Sequence, residues 1–160
     1  MAILAGIDEA GFGPLLGPLV VSSAVFSAPA ELAEADLWER LGRSVGRTRK
    51  HLAGRLLIAD SKKAFDRAQG LGHLERTVLA VLRCTTHEPA DLNALLTVLC
   101  PDCLPRLPAY PWYQELQGCA LPGCTADLRI ASKVFADDLE ACGARAMYLR
   151  SSCFDVGHYN

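Results

Sequence analysis

The fold is decided near the start of the chain by residues 6–21, GIDEAGFGPLLGPLVV. A short apolar strand is predicted at residues 3–8, where it ends in two adjacent acids and runs into a turn rich in glycine and proline. Residues 19–26 follow the turn and are predicted to form a second strand, because they are rich in β-branched side chains. The glycines and prolines make the connection a structured turn rather than a helix. Two strands joined by such a turn are expected to pair antiparallel.

Further along the chain, apolar residues recur with helical or strand-like spacing. Helices are predicted over residues 30–41, along an apolar face between 74 and 82, and from 126 to 142. Brief strands are predicted at 56–59 and 146–152. The residues that we expect on buried helix faces are Leu32, Leu37, Trp38, Leu41, Leu74, Val78, Val81, Leu82, Leu128, Ala131, Phe135, Leu139 and Cys142.

Residues 100–124 differ in character from the rest of the chain. They hold five of the nine prolines together with Tyr110, Trp112 and Tyr113. We interpret them as an irregular insertion in a single domain that covers residues 1–160. The three aromatic rings either hold this insertion against the domain or stack on nucleic-acid bases, and the first interpretation is the simpler one.

Composition excludes several classes of protein. Hydrophobic residues make up 51% of the chain and charged residues 21%, which excludes a disordered protein. No apolar run reaches the roughly 18 residues of a membrane span, and the first residues lack the basic start of a signal peptide. Seven cysteines without a disulfide pattern favour a reducing compartment. We therefore expect a cytoplasmic monomer.

Charge is unevenly distributed along the chain. The net charge is −2, yet residues 40–67 carry nine basic side chains against two acids. A local basic stretch can hold a polyanion such as nucleic acid at one face. The alternative is an ordinary solvated surface. The basic residues are Arg40, Arg43, Arg47, Arg49, Lys50, Arg55, Lys62, Lys63 and Arg67.

Asp8 and Glu9 are the strongest candidates for chemistry. Two carboxylates close together repel each other unless a cation lies between them, and oxygen ligands of this kind suit Mg²⁺ or Mn²⁺. Side chains alternate along a strand, so one of the pair must be brought back by the turn if both are to share a site. The alternative is a polar strand end that enters solvent.

Residues 6–21 resemble the first motif of ribonuclease HII, the type 2 ribonuclease H family. The match is specific because acids, glycines and prolines coincide over sixteen positions. Residues 60–63, Asp-Ser-Lys-Lys, resemble the second motif of that family. The two motifs and their flanks cover about the first 65 residues, whereas residues 87–145 resemble nothing in the family.

The resemblance implies an α/β protein with a ribonuclease H-like fold, whose N-terminal part combines antiparallel strands with packed helices. It implies a metal-dependent endonuclease that cleaves the RNA strand of RNA–DNA hybrids, or duplex DNA at a ribonucleotide. Asp8 and Glu9 would be catalytic ligands of Mg²⁺ or Mn²⁺, which activates water and stabilises the leaving oxygen. The turn glycines would meet the ribose 2′-OH, and the second motif would bind phosphates. The implied substrate-binding residues are Gly11, Phe12, Gly13, Ser61, Lys62 and Lys63.

The chain departs from the family pattern at two points. Phe12 replaces the usual arginine, and an aromatic ring cannot pair with a phosphate. The third and fourth acids of the family have no match, although Asp137, Asp138, Glu140 and Asp155 lie late in the chain. Asp137 is better explained as an i, i+4 partner of Lys133. We therefore expect a divergent relative whose acid-bearing C-terminal part would follow Asn160, or else a non-catalytic relative that at most binds nucleic acid.

Four cysteines of the insertion support a separate hypothesis. Their spacing, C-x2-C-x15-C-x4-C, lies within the range of zinc ribbons and predicts a small interaction module that binds Zn²⁺. The alternative is that they are free cysteines buried as small apolar side chains. The four are Cys100, Cys103, Cys119 and Cys124.

Overall fold

The computed structural model describes residues 1–11, 18–65, 67, 70–113, 118–121 and 126–155. Their architecture is mixed α/β, with a three-stranded antiparallel sheet, a separate two-stranded pair and several helices. No helix among these residues is long and apolar enough to cross a membrane. The predicted combination of antiparallel strands and packed helices is confirmed at this level.

The main sheet has three antiparallel strands, with the second strand of the chain in the middle. Strand β1 (Ala2–Ala10) pairs antiparallel with β2 (Leu19–Ala28), as predicted from the short connection between them. Strand β5 (Arg145–Phe154) pairs antiparallel with the other edge of β2, with a register shift between Val25 and Phe26. The strand predicted at 146–152 is therefore confirmed. It adds a third strand to the antiparallel pair of β1 and β2.

Two helices cover one face of this sheet. Helix α3 (Gly72–Cys84) and helix α5 (Ala126–Ala141) pack against each other over a common apolar core. Four of the five residues of the stripe predicted for α5 are buried, whereas Cys142 is half-buried. Val81 and Leu82 of α3 are buried as expected. Removing these side chains from water supplies most of the favourable free energy of folding. The buried residues of the two helices include Leu79, Ala80, Leu128, Ala131, Phe135 and Leu139.

Smaller elements connect the sheet to these helices. Strands β3 (Val45–Gly46) and β4 (Leu56–Leu57) pair in parallel, which confirms the brief strand predicted near residue 56. Helix α2 (Ser61–Ala64) follows β4, and helix α4 (Leu92–Leu99) follows α3. Residues 101–113 form three short 3₁₀ turns, each beginning with or close to a proline.

The single helix predicted over residues 30–41 is wrong. The structure has a 3₁₀ turn at Ala30–Ala33 and a separate short helix, α1, at Leu37–Arg40. The Asp36 carboxylate accepts hydrogen bonds from the backbone N–H groups of Trp38 at 3.0 Å and Glu39 at 3.3 Å, so a new helix begins there. The break leaves the side chain of Trp38 40% exposed rather than on a buried stripe.

A buried polar contact joins α5 to the start of β3. Asp138 of α5 and Ser44 are both buried, with relative exposures of 3% and 2%. The Asp138 Oδ2 atom accepts a hydrogen bond from the Ser44 backbone N–H at 3.1 Å and another from the Ser44 hydroxyl at 2.7 Å. A buried polar group is tolerated when its hydrogen bonds are made in this way. The carboxylate therefore holds the β3–β4 pair against the helical layer.

Replacing Asp138 with alanine should destabilise the fold by about 2–4 kcal/mol, because it leaves the buried Ser44 N–H without its acceptor. The neighbouring Asp137→Ala is the matched control. Asp137 makes an ion pair with Lys133 on the helix surface, so its loss should cost less than about 1 kcal/mol. Urea unfolding followed by circular dichroism measures both values. Equal losses in the two variants would contradict the structural role of Asp138.

Candidate functional site

Asp8 lies in a row of polar side chains that crosses the sheet. Asp8 of β1 is opposite Ser22 of β2, and Ser22 is opposite Ser151 of β5. The Ser22 and Ser151 hydroxyl oxygens are 2.9 Å apart and hydrogen-bonded. Side chains opposite each other in antiparallel strands share a face, so the carboxylate and the two hydroxyls form one oxygen-rich row. Strand alternation places this row on the same face as Leu4, which contacts the helical side.

Glu9 lies on the other face of β1. The strand continues to Ala10 without interruption, so Glu9 alternates with Asp8 and shares its face with Ile3 and Ile7. Those two isoleucines are 61% and 74% exposed, so this face of β1 is open to solvent. The Asp8 Oδ1 atom accepts a hydrogen bond from the Glu9 backbone N–H at 3.0 Å. The two acids are neighbours in sequence, but the strand directs their side chains apart.

Gly11 begins the connection between β1 and β2 with a φ of +92°, a conformation that favours glycine. A Cβ atom at this position would lie 2.2 Å from the backbone oxygen of Pro18. The path of the connection therefore requires glycine at position 11 whether or not a sugar is bound. Phe12 and Gly13, the other turn residues with an implied role, lie outside the described residues.

The second motif forms the exposed helix α2. The Asp60 side chain caps this helix, because its Oδ1 atom accepts a hydrogen bond from the Lys62 backbone N–H at 2.9 Å. Ser61, Lys62 and Lys63 are all exposed. In the part of the chain that the structure describes, no hydrogen bond or ion pair links Asp8 or Glu9 to this motif. The cap at the start of α2 explains an aspartate at position 60 without any contact to a substrate.

Three of the four late acids already have partners. Asp137 pairs with Lys133 and Asp138 bonds to Ser44. The Asp155 Oδ2 atom lies 3.4 Å from Nε of Arg106, in an ion pair. These contacts engage three carboxylates that a metal site near Asp8 would otherwise draw on.

The basic stretch is partly committed to internal contacts. The Arg55 guanidinium donates hydrogen bonds to the carbonyls of Leu52 at 3.0 Å, Gly42 at 3.0 Å and His51 at 2.6 Å, which ties the loop between β3 and β4 together. Arg47 forms an ion pair with Asp36 and lies 4.6 Å from the centre of the Trp38 ring. The hydrogen bond from the Arg47 side chain lowers the pKa of the Asp36 carboxyl. Asp36 offsets the charge of Arg47, and backbone carbonyls occupy the donors of Arg55. Fewer basic side chains are therefore available to contact a polyanion than the composition indicates.

Three cysteine thiols come together at the end of the sheet. Cys100 ends α4, Cys103 lies in the following 3₁₀ turn, and Cys153 lies in β5. Their Sγ atoms all lie within 4.8 Å of one another, so the group could hold a metal ion. Burial raises the pKa of the Cys103 thiol to about 12, with a further increase from the adjacent Cys100. Burial also raises the pKa of Cys153.

This group differs from the cysteine set predicted from spacing. Cys100 and Cys103 are members of it, but the third member is Cys153 rather than Cys119. Cys119 is exposed, and Cys124 lies outside the described residues. Local spacing could not have found Cys153, because only the pairing of β5 with β2 carries it to the end of α4. This thiol group therefore joins the insertion to the sheet.

Comparisons with protein-family models, with curated proteins and with solved structures found no match for this chain.

Gly11→Ala should destabilise the protein by about 1–3 kcal/mol, because alanine is strained at this φ and its Cβ meets the Pro18 carbonyl. Gly6→Ala in the preceding strand, β1, is the control, since a Cβ there meets nothing within 4 Å. We expect Gly6→Ala to change stability by less than about 1 kcal/mol. Denaturant midpoints of the two variants measure the difference, and similar midpoints would show that the connection does not need glycine at position 11.

Proposed function

We propose that this protein is a metal-dependent endonuclease of the ribonuclease HII type with a ribonuclease H-like fold. Its substrates would be RNA–DNA hybrids or duplex DNA that contains a ribonucleotide. The resemblance of residues 6–21 supports the proposal, and so does the mixed α/β architecture with an antiparallel β1–β2 pair. The observation that carries it is the exposed Asp8 carboxylate in a row of hydroxyl oxygens on one sheet face.

The donor set around Asp8 fits Mg²⁺ or Mn²⁺. Both ions prefer oxygen ligands, and Mg²⁺ in particular keeps several waters and binds through one or two carboxylates together with substrate phosphates. One exposed carboxylate beside two hydroxyls is therefore suited to an ion that arrives with the substrate. When bound, such an ion lowers the pKa of its water and stabilises the leaving 3′ oxygen. Glu9, on the opposite face, would need the β1–β2 connection to move before it could share that ion.

The chain's own residues would position the substrate. Lys62 and Lys63 are exposed at the surface of α2 and would bind backbone phosphates as point charges, with the Ser61 hydroxyl as a further donor. Phosphate contacts orient a nucleic acid but carry no preference for RNA. The preference for RNA over DNA would come from contacts between the ribose 2′-OH and the turn that begins with Gly11.

The same observations allow a non-catalytic relative that binds nucleic acid. This second candidate is favoured by the partners of Asp137, Asp138 and Asp155, which leave few late carboxylates for a metal site. The two candidates differ in one measurable respect. Binding without cleavage supports the non-catalytic relative, and metal-dependent cleavage supports the enzyme.

Asp8→Asn should lower the rate of nicking of duplex DNA that contains one ribonucleotide by at least about 100-fold, because the amide removes the negative charge that holds the cation. The assay contains Mg²⁺ or Mn²⁺ and compares initial rates with the wild-type protein. Asp137→Asn is the control, since that carboxylate lies on the outer surface of α5 and pairs with Lys133. Equal rates for wild type and Asp8→Asn would remove Asp8 from the site.

Replacing Lys62 and Lys63 together with alanine should weaken binding to hybrid and to plain duplex alike. The slope of log affinity against log salt concentration should fall in magnitude by about 2, because two phosphate contacts and their released counterions are lost. Fluorescence anisotropy at several salt concentrations measures this slope. Arg129→Ala, which removes an exposed cation of α5, should leave the slope unchanged. An unchanged slope in the double variant would exclude α2 from the nucleic-acid surface.

The zinc hypothesis takes a different form from the predicted ribbon. Thiol ligands suit Zn²⁺, whereas Mg²⁺ and Mn²⁺ prefer oxygen, so Zn²⁺ is the ion that the cysteine group fits. A self-contained module within residues 100–124 would need its ligands inside that segment. The group instead includes Cys153 of β5, which favours a metal site within the same domain over a separate interaction module.

A further inference from the structure

The local backbone brings the first two thiols together. The Cys100 N–H donates to the carbonyl of Leu96 at 2.7 Å and closes α4, and the Cys103 N–H donates to the carbonyl of Cys100 at 3.1 Å. In a 3₁₀ turn, side chains three residues apart lie on the same side. Two residues between the cysteines therefore suffice to align both thiols, as in many metal-binding pairs.

The third thiol comes from the sheet. Cys153 lies opposite Val20 of β2, near the end of β5. The Arg106 guanidinium donates a hydrogen bond to the Cys153 carbonyl at 2.8 Å. The 3₁₀ segment, residues 101–113, is therefore already bonded to the end of β5. The three Sγ atoms thus meet at the junction of α4, the 3₁₀ segment and β5.

Other cysteines of the chain behave differently. The Cys84 thiol lies 3.3 Å from the carbonyl of Ala80, and the Cys142 thiol lies 3.7 Å from the carbonyl of Arg40. These are the weak hydrogen bonds expected of cysteines that serve as small apolar side chains. The thiols of Cys100, Cys103 and Cys153 face one another instead, which packing alone does not require.

The surroundings of the three thiols suit a charged metal–thiolate group. A cavity of about 200 Å³ beside Cys103 and Cys153 has apolar walls that include Leu92, Leu96 and Leu107. Zn²⁺ with three thiolates carries a net charge of −1, and the guanidinium of Arg106, which also pairs with Asp155, lies next to the group. A tetrahedral ion with Zn–S bonds of about 2.3 Å places its sulfurs about 3.8 Å apart. Thiols already within 4.8 Å need only a small contraction to reach that spacing.

We propose that Cys100, Cys103 and Cys153 bind one Zn²⁺ as three thiolates, and that the ion fastens the end of β5 to the turn that follows α4. A water molecule would complete the coordination of the ion. The proposal is independent of the nuclease function, since it concerns other residues and another metal. Each thiol loses its proton to solvent when its sulfur–zinc bond forms, so no oxidant or reductant is involved.

The test measures zinc in the full-length protein, purified with a phosphine reductant, incubated with Zn²⁺ alone and then dialysed. Elemental analysis should find about one zinc per chain in the wild type and in Cys119→Ser and Cys142→Ser. In Cys153→Ser the affinity for Zn²⁺, measured by competition with a chromophoric chelator, should fall at least about tenfold. Zinc retained by Cys153→Ser but lost from Cys119→Ser would overturn the proposal in favour of the ribbon, and a wild type without zinc would overturn both.

A second measurement uses only the wild-type protein and does not depend on the folding of a variant. At a free Zn²⁺ concentration about 100-fold above its Kd, the Tm should exceed that of the chelated protein by about 5 to 10 °C. Co²⁺ in place of zinc should give sulfur-to-metal charge-transfer absorption with the intensity of three thiolates. Zinc binding without a change in Tm would overturn the fastening role, and a spectrum of four thiolates would overturn the ligand set.

Discussion

The rest of the structure depends on the hydrogen bonding of β2 to a strand on each of its edges. This pairing fixes the register of β1 and β5 relative to each other, although they are far apart in the chain. Because the side-chain period of a strand is two, a slip of one residue would move every side chain to the opposite face. The same register that aligns Asp8 with two serine hydroxyls also carries Cys153 to the end of α4. Both candidate sites are therefore consequences of one sheet.

Buried polar contacts give this small domain its specific arrangement. The apolar face shared by α3 and α5 would tolerate some sliding, because hydrophobic packing is not directional. The two hydrogen bonds between Asp138 and Ser44 are directional, and their burial makes an alternative position costly. Arg55 acts similarly on the loop between β3 and β4, since four backbone carbonyls accept from one guanidinium. Asp138 and Arg55 are charged residues by composition, yet both stabilise the fold through hydrogen bonds within the protein.

Periodic segments could be predicted from the sequence, whereas segments governed by one polar side chain could not. The apolar character of β1, the β-branched residues of β2 and the stripe of α5 extend over several residues, so a few exceptions do not hide them. Residues 30–41 have an equally helical pattern, but the Asp36 carboxylate bonds to the backbone and starts a new helix. The capping hydrogen bonds of this one side chain outweighed the pattern there, because short helices have little intrinsic stability.

The sequence by itself determined the strands of the main sheet, the helices α3 and α5 and the chemical types of the candidate sites. These types are the acids at the end of an apolar strand, the glycine at the turn and the closely spaced cysteines. Tertiary structure decided which of these residues meet. Strand alternation separated Glu9 from Asp8, and the pairing of β5 with β2 brought Cys153 rather than Cys119 to the thiol group. The physical reason is that local periodicity acts over a few residues, while a site requires side chains from distant segments to meet within a few ångströms.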